Sequence, residues 1–250
     1  MDFKTLLVFD IETIPDAGHH SGEKFPKVLF HQVVAISFVA VRLERKDGLE
    51  HHKLHDIRSG GEASFTEAQL LEGFFHYVEK KKPRLVTFNG RSFDLPVLKY
   101  RGMLHGISAP WLNRGESRFE NYGYRYSSDW HCDLMDVMAD FGASTSAKLD
   151  EVSKLFGFPG KFGIDGSQVA ETYAAGGIED IRNYCETDAV NTYLVYLRYA
   201  LFRGDIDREG YNNAISAVIS YIDERKGERP HLGEFLEAWS KASSGKFLLE

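Results

Sequence analysis

The chain has 250 residues, 43% of them apolar and 13% aromatic, which is enough to fill the core of one large domain. Its formal net charge of -7 argues against a protein that coats nucleic acid by phosphate neutralisation, although an enzyme that grips one strand end is compatible with it. The apolar runs are far shorter than the roughly 20 residues needed to cross a bilayer, and the sequence shows neither a secretory signal nor a disulfide framework.

Hydrophobic periodicity predicts a sheet whose strands alternate with helices. Apolar runs bounded by polar residues predict strands over residues 4–10, 31–42, 50–57, 84–88 and 130–133. Apolar residues at helical spacing predict helices over residues 66–82, 95–104, 134–141, 148–156, 167–175, 178–202, 211–225 and 232–239. This order predicts an α/β fold in which helices cover a mixed sheet, with a helical C-terminal part.

Residues 105–129 have no helical period and are rich in Gly, Arg and Tyr, so we predict a long loop with some extended structure. Three arginines and three tyrosines lie close together in this loop, a mixture suited to phosphate pairing and base stacking on a single strand. These residues are Arg114, Arg118, Arg125, Tyr122, Tyr124 and Tyr126. The tyrosine period of two also fits a strand with one buried face, and both interpretations stay open here.

Two acidic residues at the end of the first predicted strand, Asp10 and Glu12, have the spacing of metal ligands. On an extended backbone their side chains point to the same face, about 7 Å apart, and can share one divalent cation. Carboxylate oxygens are the ligands that Mg²⁺ favours. The alternative is a strand end that simply turns polar.

Tyr184 and Asp188 lie four residues apart on a predicted helix, so a phenol and a carboxylate project from one face on successive turns. Alternatively, Tyr184 is a core aromatic residue and Asp188 a solvated acid. Asp94 follows the predicted strand over residues 84–88, where it is either a further metal ligand or an N-cap for the helix that begins at Leu95.

The three segments together resemble the motifs of the DEDD superfamily of 3′-5′ exonucleases. They read Phe-Asp-Ile-Glu-Thr at residues 9–13, Asn-Gly-Arg-Ser-Phe-Asp at residues 89–94 and Tyr-Cys-Glu-Thr-Asp at residues 184–188. The last segment matches the tyrosine subclass, because Asn183 stands where the histidine subclass has its His. Within the superfamily, the chain looks most like the proofreading exonuclease domain of B-family DNA polymerases, over roughly residues 4–203.

This resemblance implies a ribonuclease H-like fold over residues 1–203, with a helical extension over residues 204–250 packed on the same domain. It implies a free-standing, cytoplasmic 3′-5′ exonuclease that releases 5′-mononucleotides from single-stranded nucleic acid, with DNA favoured over RNA and DNA repair as the setting. It also implies two divalent cations, Mg²⁺ or Mn²⁺, held by Asp10, Glu12, Asp94 and Asp188.

By the same resemblance, Tyr184 orients the attacking water, while Thr13, Asn89 and Phe93 line the groove for the terminal nucleotide. Two alternatives remain at this stage. One is a non-catalytic nucleic-acid-binding module of the same fold. The other is a phosphoesterase that acts on small nucleotides and is indifferent to strand length.

Overall fold

The computed structural model describes residues 3–19, 26–161, 163 and 166–250; the other positions of the predicted domain over residues 1–203 lie outside this part. Within it, the strands are β1 (Thr5–Pro15), β2 (His31–Lys46), β3 (Leu49–Ser59), β4 (Arg84–Thr87) and β5 (His131–Asp133). The α-helices are α1 (Glu67–Lys81), α2 (Asp94–Leu104), α3 (Leu134–Met138), α4 (Leu149–Leu155), α5 (Val169–Ala174), α6 (Ile178–Arg203), α7 (Arg208–Arg225) and α8 (Pro230–Ala242).

The strands form one mixed sheet in the order β3-β2-β1-β4-β5. β1 lies at its centre because it pairs antiparallel with β2 and parallel with β4. Residues 6–9 of β1 are almost completely buried, since helices cover both faces of the sheet, and this burial explains the continuous apolar run in the sequence. The strand order and the flanking helices are ribonuclease H-like, so the predicted fold class is confirmed.

The long helix α6 is buried on all sides along its middle part, residues 184–197. It crosses β1 and β2 on one side, and α4, α7 and α8 pack against it on the other. Residues 184–197 are therefore buried without interruption, including the acid of Asp188. Gly204 ends the helix in the left-handed conformation, at φ 79°. Such a helix holds its side chains in fixed positions relative to β1.

The C-terminal helices contact the sheet and α6. The Tyr221 hydroxyl of α7 accepts a hydrogen bond from the Ile57 N–H of β3 at 3.1 Å and donates one to Asp56 at 2.7 Å. Trp239 of α8 is buried against Phe158, with ring centroids 5.9 Å apart. The division of the chain between residues 203 and 204 remains a prediction.

Two local predictions were wrong, and the loop predicted over residues 105–129 is confirmed. β1 continues to Pro15 because β2 pairs with it as far as His31, so Asp10 and Glu12 lie inside the strand and not at its end. The helix predicted over residues 134–141 ends at Met138. Residues 105–129 contain turns, a 3₁₀ turn and one isolated bridge, and their tyrosines do not share a buried face. Tyr122 is buried because its hydroxyl donates to the Pro83 carbonyl, whereas Tyr126 is exposed.

No helix in the described part of the chain is both long and apolar enough to span a membrane.

A buried ion pair connects strands β3 and β4, which lie on opposite sides of β1 in the sheet, and a further hydrogen bond connects it to α6. The Arg84 guanidinium of β4 donates to both carboxylate oxygens of Glu50 of β3, at 2.8 and 3.0 Å, and to the Tyr196 hydroxyl of α6 at 3.0 Å. Burial raises the pKa of Glu50, but the nearby His52 imidazole and the hydrogen bonds from Arg84 outweigh it, so the pKa lies well below its ordinary value. The carboxylate is charged and depends on Arg84.

Replacing Arg84 by Met is therefore expected to lower the free energy of unfolding by about 3 kcal/mol, because Glu50 remains buried without its main partner. The double variant Arg84→Met, Glu50→Leu is expected to regain most of this loss, since both charges are gone. Urea denaturation followed by circular dichroism measures both values. A double variant as unstable as the single one would contradict this role for the pair.

Candidate active site

Three carboxylates from two distant parts of the chain meet where α6 crosses β1. Asp10 and Glu12 project from the same face of β1, and Asp188 projects from α6. Each offers one carboxylate oxygen, and these oxygens all lie within 4.8 Å of one another. The spacing of two on a strand thus places the first two acids together, and the crossing of α6 adds the third.

The fourth predicted acid, Asp94, lies beside this group. It is the first residue of α2 and is 4% exposed, with Phe93 at the N-cap position, so its interpretation as the N-cap was wrong. Its carboxylate accepts hydrogen bonds from its own N–H and from the Ile11 N–H of β1. It lies near enough to raise the pKa of Asp10 by repulsion. The structure therefore brings all four predicted acids to one region.

The phenol of Tyr184 belongs to the same group. Tyr184 is buried one turn before Asp188, and its hydroxyl shares a hydrogen bond with that carboxylate. Burial raises the pKa of Tyr184 far above its usual range, and the charges of Asp188, Glu12 and Asp10 raise it further. The phenol therefore keeps its proton and donates a hydrogen bond to Asp188. The interpretation of Asp188 as a solvated surface acid was wrong, because the side chain is buried.

Burial and the crowding of like charges together raise the pKa values of acids in the site. Burial raises the pKa of Asp10 well above its ordinary value, with further contributions from Asp94, Glu12 and Asp188. Burial likewise raises the pKa of Asp94 to about 7, and the charge of Asp133 adds to this. Four carboxylates in one partly closed volume repel one another unless cations balance them. Because the donors are all carboxylate oxygens, the set fits a hard divalent cation such as Mg²⁺ or Mn²⁺.

A β-bulge shapes the strand beside Glu12. Glu12 pairs with Ala35 and Thr13 pairs with Val33, so β2 carries one extra residue at this point. The Thr13 hydroxyl lies 2.8 Å from His31 Nδ1. The Phe93 ring packs edge to face with the same imidazole, with ring centroids 4.9 Å apart. Two of the predicted groove residues, Thr13 and Phe93, are thus brought together through His31.

The turn that leads to Asp94 is held by an acid that sequence reasoning did not single out. The two carboxylate oxygens of Asp133 accept the N–H groups of Asn89 and Arg91, each at 2.8 Å. Asn89 is left-handed at φ 66°, and a Cβ at Gly90 would stand 2.4 Å from the Thr87 hydroxyl. The turn therefore needs its Asn-Gly pair. The sequence feature that could have identified Asp133 is its position between a predicted short strand and a predicted helix.

Two further residues of the third motif point to different neighbours. The Cys185 thiol donates to the Asp10 carbonyl at 3.3 Å and lies 3.5 Å from the Asp10 carboxylate. Glu186 points away from the acids and accepts hydrogen bonds from the Ser59 N–H at 2.6 Å and from His231 at 2.7 Å. It also pairs with Arg229. Glu186 thus fixes the start of α8 against α6.

A cavity of about 360 Å³ opens beside Tyr184, between α6 and the start of α8. Its lining includes Asn183, Tyr184, Thr187, Pro230, His231 and Glu234. The C-terminal helix therefore forms one wall of the space next to the predicted site.

The arginines of the long loop are less available than the sequence implied. The Arg125 guanidinium is paired with Asp136 of α3 at 2.7 and 3.1 Å. The Arg118 guanidinium lies over the Phe119 ring, 4.4 Å from its centroid. Tyr122 is part of the core, so it cannot stack on a base.

Residues 23–239 match the model of a protein family described as predicted 3′-5′ exonucleases related to the exonuclease domain of PolB. The chain belongs to this PolB-like exonuclease family. The matched range begins after β1, so the placement of Asp10 and Glu12 rests on the geometry described above.

Known relatives of this PolB-like exonuclease are DNA polymerases. A DNA polymerase of Pyrococcus glycovorans is 29% identical over 196 residues, which cover 75% of this chain and 24% of that protein. The catalytic subunits of DNA polymerase epsilon from two fungi are 27% identical over 222 residues in Emericella nidulans and 28% identical over 216 residues in Schizosaccharomyces pombe. These matches cover 78% of this chain and 9% of each fungal protein. The chain spans a quarter or less of the relatives it matches.

In the presence of chelator, wild type is expected to lose stability relative to Asp94→Asn as the pH rises from about 4 to about 7. The folded pKa of Asp94, about 7, lies above the value of about 3.9 in an unfolded chain, so the folded state holds the proton more tightly. Its contribution is complete below the unfolded pKa and is lost as the pH rises through the folded pKa. The relative loss is expected to reach roughly 4 kcal/mol at pH 8, of which roughly 2.5 kcal/mol falls between pH 5 and pH 8.

Urea denaturation of both proteins at pH 5 and pH 8 measures this difference. Asp223→Asn, which removes a half-exposed acid of α7, is the matched control and is expected to follow wild type. Mg²⁺ or Mn²⁺ is expected to stabilise wild type more at pH 8 than at pH 5, because protons and cations compete for the same oxygens. Parallel pH curves for wild type and Asp94→Asn would show that folding does not raise the pKa of Asp94 as described.

Proposed function

We propose that this protein is a metal-dependent exonuclease that removes 5′-mononucleotides from the 3′ end of single-stranded nucleic acid, with DNA as the favoured substrate. The observation that carries the proposal is the meeting of Asp10, Glu12 and Asp188 within 4.8 Å, with Asp94 beside them. Membership of the PolB-like exonuclease family supports the polarity and the substrate class. A role in DNA repair in the cytoplasm is part of the proposal.

The acids have distinct roles in this proposal. Asp10, Glu12 and Asp188 would hold one divalent cation, and Asp10 with Asp94 would hold a second. Two such ions balance the four negative charges, and when bound they activate a water molecule and stabilise the oxygen that leaves. The Asp133 turn keeps the Asp94 carboxylate directed at β1. The Cys185 thiol restricts Asp10 from the opposite side.

Tyr184 orients groups and does not act as a base. Its pKa is raised by burial and by three carboxylates, so the phenol stays protonated throughout the neutral range. A protonated phenol donates a hydrogen bond, and it can therefore fix both the Asp188 carboxylate and an attacking water molecule. Proton removal from that water does not require Tyr184 in this scheme.

Thr13, Asn89 and Phe93 are the proposed contacts to the terminal nucleotide. The contact of Thr13 and Phe93 with His31 supports this role, because it forms a half-buried polar and aromatic surface directly after Glu12. Asn89 lies in the turn before Asp94, so its amide is close in the chain to a proposed metal ligand.

A non-catalytic module is disfavoured by the same electrostatics. Mutual repulsion of four acids destabilises the fold, and a protein that only binds nucleic acid gains nothing from keeping it. The small-nucleotide phosphoesterase remains the second candidate function. The cavity beside Tyr184, about 360 Å³, is the observation that favours it, because a mononucleotide is a compact ligand.

Incubation with 5′-labelled DNA and RNA, single- and double-stranded, is expected to give a ladder that shortens from the 3′ side when Mg²⁺ or Mn²⁺ is present. Chelator and the double variant Asp10→Ala, Glu12→Ala are both expected to abolish the ladder. Single-stranded DNA is expected to be degraded fastest. Hydrolysis of mononucleotide esters without any shortening of strands would instead establish the phosphoesterase.

Two substitutions on α6 separate the roles of ligand and orienting group. Asp188→Ala is expected to reduce turnover below detection because a proposed metal ligand is lost. Tyr184→Phe is expected to retain a measurable rate, lower by roughly 10- to 100-fold. Its pH-rate profile is expected to keep the wild-type shape, because the phenol does not titrate near neutrality.

Single-turnover kinetics between pH 6 and pH 9 measure these rates, with Glu179→Gln as the control. Glu179 is exposed on the first turn of α6 and is expected to be dispensable. Total loss of activity in Tyr184→Phe, equal to that in Asp188→Ala, would contradict the orienting role.

A further inference from the structure

Four aromatic side chains form a continuous row on the surface of the long loop and the segment after α3. They are Phe119, Tyr124, Tyr126 and Phe141, which we call the aromatic row. Successive ring centroids lie 5.1, 5.7 and 5.0 Å apart. Phe119 is 47% exposed and Tyr126 is 57% exposed. Tyr124 and Phe141 are half-buried, and neighbouring rings meet edge to face, at 62–67° to one another. A contiguous, partly exposed aromatic patch of this kind is typical of a binding surface.

The backbone holds one end of the row in a strained conformation. Asp140 and Phe141 both lie in the left-handed region, at φ 47° and φ 56°. A bulky side chain rarely adopts this conformation, because it brings Cβ too close to the neighbouring carbonyl. The strain places the Phe141 ring against Tyr126, and residues that retain such strain cluster at functional sites.

A chain of contacts through neighbouring residues leads from the aromatic row to the candidate active site. Arg125, between two tyrosines of the row, is paired with Asp136 of α3. The residue that begins α3 as its N-cap is Asp133, whose carboxylate holds the turn leading to Asp94. Arg91 of that turn also donates to the Tyr122 carbonyl of the long loop at 3.1 Å. The row therefore lies at the same end of the sheet as the acids.

The charges around the row favour stacking over phosphate attraction. Arg125 is neutralised by Asp136, and Arg118 lies over the Phe119 ring. Glu116 and Glu120 alternate along the loop with Arg114 and Arg118, so the local charges cancel. A ligand bound here gains little from ion pairing and much from the faces of the rings. Unpaired nucleobases meet this requirement, because every base has a face that stacks on an aromatic ring.

We propose that the aromatic row is a stacking platform for unpaired nucleotides on the 5′ side of the terminal nucleotide. This inference rests on the proposed function, since it adds a second binding site to the same substrate. The platform selects single strands, because the bases of a duplex are already stacked on one another. It also makes the enzyme prefer long strands to dinucleotides.

Binding of a 20-nucleotide, 5′-labelled single strand in the presence of chelator tests the platform without hydrolysis. Phe119→Ala and Tyr126→Ala are each expected to weaken binding about tenfold. Tyr126→Phe is expected to bind like wild type because it keeps the ring. Tyr126→Leu is expected to bind like the alanine variant, because it keeps apolar area but lacks the flat face.

Phe202→Ala is the matched control, since this ring is 89% exposed at the end of α6 and is not a member of the row. It is expected to bind like wild type. The slope of log affinity against log salt is expected to be no steeper than about -2, because few phosphates are neutralised. Unchanged binding in both Phe119→Ala and Tyr126→Ala, or a much steeper slope, would overturn the platform.

Kinetics separate this proposal from the proposed function. With Mn²⁺ present, Tyr126→Ala is expected to raise KM about tenfold for the long strand, while leaving kcat and the hydrolysis of a dinucleotide unchanged. If wild type hydrolyses the strand and Tyr126→Ala has the same KM, the exonuclease proposal stands and the platform proposal is wrong. No hydrolysis by wild type would remove the exonuclease, and the binding experiment would still decide whether the row stacks on bases.

Analytical ultracentrifugation distinguishes a protein interface from a nucleic-acid site. Wild type and Tyr126→Ala are expected to sediment alike in the absence of nucleic acid. A wild-type dimer that Tyr126→Ala abolishes would show that the row binds a second copy of the chain, and it would overturn the proposal.

Discussion

The repulsion among four carboxylates in one small volume is the constraint on which this structure depends. Asp10 and Glu12 come from a central strand that pairs on both edges, and Asp188 comes from the middle part of α6, which is buried on all sides. Neither element can shift without losing its hydrogen bonds or its packing, so the acids cannot move apart to relieve their charges. β1, α2 and α6 hold the four carboxylates so close together that their negative charges repel one another. A bound divalent cation would balance these charges.

Several features elsewhere in the molecule serve this frame. Asp133 fixes the turn that presents Asp94, and Cys185 restricts the side chain of Asp10. Glu186 ties α6 to the start of α8, which gives the C-terminal helices a part in shaping the cavity beside Tyr184. Burial raises the pKa of Tyr184 and the same charges raise it further, so the phenol donates a hydrogen bond and does not act as a base. Stability and chemistry are therefore coupled through one cluster.

Local spacing made much of the fold and of the candidate site predictable. A period of two on β1 and a spacing of four on α6 indicated which side chains share a face. These periods come from the local geometry of strands and helices, so they do not depend on distant parts of the chain. Features set by distant partners were not predictable. β1 extends to Pro15 because β2 pairs with it, and the buried position of Asp94, beside β1, depends on a strand that is distant in sequence. In the long loop, Tyr122 is positioned by its hydrogen bond to Pro83, and Arg125 is positioned by its ion pair with Asp136 of α3. No local period in the sequence encodes these distant contacts.

We propose that the four acids act together as one site for two cations. Titration of Mn²⁺ in the presence of a 5′-mononucleotide, followed by water proton relaxation or calorimetry, tests it most directly. The account predicts two bound ions in wild type, one in Asp94→Asn and no tight binding in Asp10→Asn, because Asp10 contributes to both positions. Equal stoichiometry and affinity in all three proteins would contradict it.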